Sequence, residues 1–356
     1  MLKYLFPLRQ YVSVFNIFQY ITFRAAYAAI TALLISFLLG PSVIARLRML
    51  KTEWAAREDT PSSHLAKAGT PTMGGALILL SVVVSVLLWQ DPTSIHTWIL
   101  AFAAVAFGAI GFADDVLKMR AHRGISAGVK FGGQFLVSAI IVVMLYLQRT
   151  DATTLLYVPF LKHAVVDLSW LYIPFAIVLM VGYSNAVNLT DGLDGLAIGL
   201  VIMVALALTI LAYVSGRADF ADYLQIPFVK GGGEIAVFCL ATVGAAVGFL
   251  WFNAQPADVW MGDTGSLSLG GVLGVVALIL KKEVLILVLG GVFVLETLSV
   301  AIQVISFRLT GRRVFKMAPL HHHFELRGWP ESKVVTRMWI LGGLFAILGL
   351  STLKIQ

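Results

Sequence analysis

Ten apolar runs, each close to the length needed to cross a bilayer, constrain this chain more than any other feature. They fall at 21–43, 74–90, 96–113, 132–148, 171–187, 194–214, 234–251, 264–280, 284–305 and 335–354. A spanning helix needs roughly 20 predominantly apolar residues. The runs are continuous rather than alternating, so they read as helices and not as strands of a membrane barrel. If each takes about 20 residues, the nine loops and two termini average about 14, too few for a soluble domain. Composition agrees: 59% of residues are hydrophobic and 13% charged, against roughly 25% charged in soluble domains. The expected fold is all-α, a polytopic integral membrane protein of about ten transmembrane helices. Residues 1–356 form a single transmembrane domain, and any chemistry falls to loops and span ends. The start of the chain, with Lys3, Arg9 and many polar or aromatic residues, does not read as a cleaved signal peptide. One cysteine, Cys239, excludes an intramolecular disulfide and argues against a cysteine metal site.

Basic residues set the orientation. The loops after spans one, three and nine hold five, four and seven Lys or Arg, sixteen on one face, with none in the loops after spans five and seven. The other face, termini included, holds nine. The richer face is expected to be cytoplasmic, with both termini periplasmic.

The loops of that face also hold the reactive side chains. After span three comes Gly111-Phe112-Ala113-Asp114-Asp115-Val116-Leu117-Lys118. Adjacent carboxylates repel unless a cation, Lys118 or a metal, neutralises them; the plainer reading is a solvated helix terminus. After span five, Asn188, Asp191 and Asp194 recur at every third residue and share a face if the segment is helical or tightly turned. Gly192 and Gly195 beside them let a ligand approach the backbone. After span seven, Asn253 and Trp260 precede Asp263, which is either a helix N-cap or a ligand for a hard metal. Trp260 reads as an interfacial belt residue or as a platform on which a base stacks. After span nine comes Pro319-Leu320-His321-His322-His323-Phe324-Glu325, without zinc-type spacing. Lys67 to Gly75, ahead of span two, is turn-rich and includes Thr72.

Carboxylates, basic residues and histidines at one membrane surface suit Mg²⁺, which takes one or two carboxylates and lets substrate phosphates complete its shell. No GxxxxGK[ST] or GxGxxG motif supports ATP hydrolysis or a dinucleotide cofactor. A transporter would place its ionisable groups near the bilayer midplane. Here only Glu296 reads as mid-span, where an interhelical hydrogen bond explains it, and Glu234 lies at a span end. The placement favours an interfacial enzyme over a transporter of lipid-linked precursors or a scaffold.

Four stretches carry a resemblance: Asp114-Asp115, Asn188 to Leu196 (NLTDGLDGL), Asn253 to Leu267 (NAQPADVWMGDTGSL) and Pro319 to Glu325 (PLHHHFE). They resemble the polyprenyl-phosphate N-acetylhexosamine-1-phosphate transferases. The match runs in order from Tyr20 to Arg24, through GTPTMGG (Gly69 to Gly75), to KVVTRMWI (Lys333 to Ile340). The uninterrupted histidines favour the muramoyl branch over the GlcNAc-1-phosphate branch, and Gly128-Val129 departs from the more polar residues usual before Lys130. The resemblance implies transfer of phospho-MurNAc-pentapeptide from UDP-MurNAc-pentapeptide to undecaprenyl phosphate, with Mg²⁺, giving UMP and lipid I. That is the first membrane step of peptidoglycan synthesis, placed at the cytoplasmic face of the bacterial inner membrane. It assigns metal binding to Asp263, with Asp114, Asp115, Lys118, Lys130, His321 and His322 also catalytic. Lys67, Thr72, Asn188, Asp191, Gly192, Asp194, Asn253, Trp260 and His323 line the substrates. The implied partners are the two substrates and the bilayer, with no nucleic acid. Gly270 and Gly274, in GxxxG spacing, serve either a homodimer face or packing within one chain.

Overall fold

In lipid a backbone must satisfy its own hydrogen bonds, and every apolar run forms helix. The computed structural model describes residues 1–50, 69–121, 123–148, 153–159, 161 and 166–354. Its helices are α1 (Ile21–Met49), α2 (Gly75–Trp89), α3 (Ile95–Ala121), α4 (Ala127–Tyr146), α5 (Tyr172–Thr190), α6 (Leu196–Ser215) and α7 (Ala218–Leu224). They are followed by α8 (Gly232–Asn253), α9 (Gly262–Ile279), α10 (Leu285–Leu289), α11 (Gly291–Thr310), α12 (Leu320–Glu325) and α13 (Glu331–Ser351). Among the described residues nine helices are long and apolar enough to cross a membrane, and α2 is a shorter apolar one. A two-stranded antiparallel ladder, β1 (Leu155–Leu156) with β2 (Val166–Asp167), pairs Leu155 with Asp167 and Leu156 with Val166.

Four boundaries differ from those the hydropathy runs suggest. The run at 284–305 is broken at Gly290 into α10 and α11. Helices α1 and α3 outlast their apolar runs, so Asp114, Asp115 and Lys118 ride on helix rather than loop. Lys130 likewise lies in the first turn of α4. Hydropathy marks where lipid ends, whereas the backbone ladder continues as long as nothing breaks it.

Helix α9 is the axis of the bundle. Every residue from Thr264 to Ile279 is buried, and α9 packs against α3, α5 and α2. Gly270 and Gly274 are spent on the α5 contact, against Ser184 and Met180, so the GxxxG spacing packs the monomer. The crossing with α3 is closer still: a Cβ on Gly111 would lie 2.1 Å from the backbone oxygen of Asp263. Without a side chain at 111, the α3 end carrying Asp114 and Asp115 reaches the start of α9.

At the other end of the bundle, Arg24 is 2% exposed and grips Glu234 with both guanidinium arms, Nη1 to Oε2 at 2.9 Å and Nη2 to Oε1 at 2.6 Å. Nη1 also donates to the Trp89 carbonyl at 3.1 Å, and the Asp91 N–H donates to Glu234 Oε2 at 2.8 Å. This knot ties α1, α8 and the end of α2 together.

Candidate active site

The first turn of α9 has N–H groups with no partner in its own helix, and Asp115 supplies the acceptors. Its Oδ1 accepts from Asp263 N at 3.2 Å, and its Oδ2 accepts from Thr264 N at 2.9 Å and Thr264 Oγ1 at 2.7 Å. A carboxylate there also complements the positive end of the helix dipole. Asp263 is the second residue of α9 and not its N-cap, which falls at Met261. The capping alternative for Asp263 is thereby removed, and its side chain points elsewhere.

It points into a cluster of two carboxylates and two ammonium groups. Asp263 Oδ2 accepts from Lys118 Nζ at 3.0 Å and from Lys130 Nζ. Asp114 Oδ2 lies 2.8 Å from Lys118 Nζ and 3.5 Å from Lys130 Nζ, while its Oδ1 accepts the Ile125 N–H at 2.6 Å. Asn188 Nδ2 donates to Asp263 Oδ1 at 2.9 Å and to Ser266 Oγ at 2.8 Å. The Lys118 side chain keeps 44% of its surface exposed whereas that of Asp114 keeps 3%, so the cluster opens on the lysine side.

Asp191 caps the C-terminal end of α5 and is half-buried. Its carboxyl is pushed from its ordinary 3.8 to about 8 by burial first, then by the charges of Asp263, Asp115 and Asp194. The native chain therefore holds a proton there that the unfolded chain releases, and stability falls as pH rises between about 4 and about 8. Asp191→Asn removes that loss. In metal-free, substrate-free protein its melting temperature should exceed the wild type's by a margin that grows over this window and then levels off. A margin independent of pH would clear Asp191 of the effect.

The shared face expected for Asn188, Asp191 and Asp194 does not form, because α5 ends at Thr190 and Gly195 takes a left-handed conformation. Asp194 turns instead to the loop before α9. Its Oδ1 accepts from Trp260 Nε1 at 3.1 Å and its Oδ2 from Ala257 N at 3.2 Å, while its own N–H donates to Glu331 Oε1 at 2.9 Å. Glu331 Oε2 in turn accepts from Gln255 Nε2 at 3.2 Å. Asn253 completes the clasp, accepting from Gly195 N at 3.1 Å and donating to Val259 O at 2.9 Å. The indole of Trp260 is thus anchored at its N–H, and its backbone is zipped to residues 71–74. Trp260 N donates to Pro71 O and Gly74 N to Trp260 O, both at 2.8 Å. This seats Thr72 beside Gly262. Lys67 lies outside the described residues.

The rings of His321 and His322 pack against each other with centroids 4.2 Å apart, and His323 turns away from them. His321 is fully buried against Gly192, where an added Cβ would sit 2.3 Å from its Nε2. His322 Nδ1 lies 2.8 Å from Glu325 Oε2. His323 Nδ1 accepts from Lys316 N at 3.1 Å, and its ring meets Phe315 edge-on. None of the described contacts of His323 is to the carboxylate cluster. Nothing in the sequence singles out Thr264, Ser266 or Glu331. The first two stand within the quoted GDTGS stretch, and Glu331 looks like nothing more than an acid in a first helical turn.

The profile of glycosyl transferase family 4 matches residues 97–281, more than half of the chain. The first signature of phospho-N-acetylmuramoyl-pentapeptide-transferase matches residues 67–79. A phospho-N-acetylmuramoyl-pentapeptide-transferase of Desulfovibrio desulfuricans is 52% identical over 357 residues, covering 99% of both chains. Transferases of the same name from Syntrophus aciditrophicus and Nitratidesulfovibrio vulgaris are 51% and 52% identical over 355 residues, again covering 99% of each chain. The chain belongs to the phospho-N-acetylmuramoyl-pentapeptide-transferase family.

For a member of this transferase family the matched ranges are informative. The glycosyl transferase profile encloses Asp114, Asp115, Lys118, Lys130, Asn188, Asp191, Asp194, Asn253, Trp260 and Asp263. The signature encloses Thr72 and the strip zipped to Trp260. The histidines and Glu331 fall beyond both, although His321 and Glu331 contact the 191–195 turn.

Proposed function

We propose that this transferase moves phospho-MurNAc-pentapeptide from its UDP carrier to undecaprenyl phosphate, releasing UMP and leaving lipid I in the bilayer. The observation that carries this reading is the pairing of Asp114 and Asp263 with Lys118 and Lys130 at one end of the helix bundle. Two anionic partners, a diphosphate and a lipid phosphate, must meet, and phosphoryl transfer is governed by positioning and charge stabilisation. Lys118 and Lys130 counter the charge on the phosphates. Asp114 takes the remaining proton, if any, from the lipid phosphate. An oxygen of that phosphate attacks the sugar-bearing phosphorus of the diphosphate, the bond to the UMP oxygen breaks, and UMP leaves with the electron pair. Direct attack of this kind needs no phospho-enzyme.

The residues fit Mg²⁺ in the sparse manner typical of phosphate chemistry. No group of three His, Cys, Asp or Glu converges as a ready-made metal cage among the described residues. Asp263 Oδ2, however, is already the meeting point of two ammonium groups, a position where one cation can replace another. Asp263 would hold the ion, which when bound polarises the diphosphate. The excess of Lys and Arg on this face argues that it is cytoplasmic, in the bacterial inner membrane, with both termini periplasmic. The active site of this single domain is then built from the cytoplasmic ends and loops.

The test is UMP release by purified protein given undecaprenyl phosphate and a panel of UDP-sugars, with and without Mg²⁺. Release is expected only with UDP-MurNAc-pentapeptide and the metal. Release with UDP-GlcNAc instead would move the chain to the GlcNAc-1-phosphate branch, and lipid movement without UMP would make it a transporter. Labelled phospho-sugar on the enzyme in the absence of lipid would refute direct attack.

A further inference from the structure

Glu296 lies in the second turn of α11, a helix otherwise largely exposed: Gly291, Val292, Phe293, Glu296 and Ser299 are its buried residues. The Glu296 side chain is completely covered, and what covers its carboxylate is the histidine motif. Oε2 lies 3.3 Å from His321 Nδ1 and accepts from the His321 backbone N–H at 3.4 Å. The pair is left polar and incomplete, since neither ring nitrogen of His321 nor Glu296 Oε1 has a well-formed hydrogen bond. Orphaned buried polar atoms are rare and costly, and an apolar pair of similar volume is often at least as stable as a buried ionic one. Stability therefore does not account for a carboxylate at this position. The far side of the imidazole gives a reason, because Nε2 abuts Gly192, next to Asp191 and the carboxylate cluster.

We infer that Glu296 is a positioning residue, which fixes the orientation and tautomer of His321 so that Nε2 faces the Asp191–Gly192 turn of the phosphate site. A carboxylate at one imidazole nitrogen keeps the proton on that nitrogen and leaves the other as an acceptor. Here that means Nδ1–H toward Glu296 and the Nε2 lone pair toward the turn. Glu296 thus acts through His321 and not on substrate. The inference rests on the transferase reading above.

Glu296→Gln keeps the volume of the side chain and removes its charge. Its kcat for UMP release, per folded molecule, should fall about 10- to 100-fold, with KM for either substrate changed less than about threefold. The decisive measurement is the cycle with His321→Asn, run at enzyme concentrations that resolve a loss of roughly 10⁴-fold. The double variant should be no slower than His321→Asn alone, because the carboxylate has lost the group it serves. The assignment is overturned if the two losses multiply, or if kcat per folded molecule stays within about twofold while only the melting temperature drops. Wild-type protein that releases no UMP would refute the transferase reading itself, whereas an active wild type with multiplying losses would refute the role of Glu296 alone.

Discussion

Asp263→Asn should reduce UMP release by about a thousandfold, the order expected when a preorganised electrostatic contact is removed from a reacting centre. The substitution changes one atom, yet it acts at the point where three groups converge on one carboxylate. Lys118 and Lys130 both reach Asp263 Oδ2, and Asn188 holds Oδ1. With a neutral amide there, both lysines fall back on Asp114, and the cation that would polarise the diphosphate loses its ligand. The loss should appear in kcat at saturating substrate, and raising Mg²⁺ should not restore it. The backbone N–H of residue 263 still reaches Asp115, so the variant keeps the start of α9 and can be assayed folded. Near-normal turnover would remove Asp263 as the metal ligand.

Arg24→Ala should have the largest effect on stability of any single substitution considered, about 3–5 kcal/mol, because it leaves Glu234 as a buried charge without its partner. Denaturant unfolding in detergent measures it. Replacing both partners by Met should recover much of the loss but not all, since the Asp91 N–H also depends on Glu234. Turnover per folded molecule should remain near wild type. Helix α3 sets out from this end of the bundle, and Asp114 lies about 28 Å further along it. A collapse of kcat with little change in unfolding would mean that Arg24 serves the reaction instead.

The apolar runs located the nine described helices that are long and apolar enough to cross a membrane, because lipid leaves the backbone few alternatives. Asp114, Lys118 and Lys130 from the loop after span three meet Asn188 and Asp263, from two other loops, in one cluster. What stayed hidden was pairing across long separations. Arg24 and Glu234 are 210 positions apart, and neither shows in the sequence what it is bound to. Asp194 and Trp260, which the resemblance places along the substrates, also have a partner in each other that their positions 66 residues apart do not reveal. In the fold they hold each other, with Glu331 behind them. The break at Gly290 was equally invisible, since a run of apolar residues reads the same whether its helix is whole or divided.

The complete burial of α9 bears on how the protein tolerates its surroundings. A bilayer thicker or thinner than the hydrophobic length of a helix is accommodated by tilting that helix, and the force is applied through lipid-exposed side chains. Helices α1, α4, α11 and α13 present such residues, among them Leu38, Phe135, Ile305 and Ile347. Helix α9, which carries Asp263, presents none from Thr264 to Ile279. Mismatch with the membrane is therefore taken up by the outer ring of helices. Geometry at the centre is screened from membrane thickness, although the lipid substrate arrives through that same membrane.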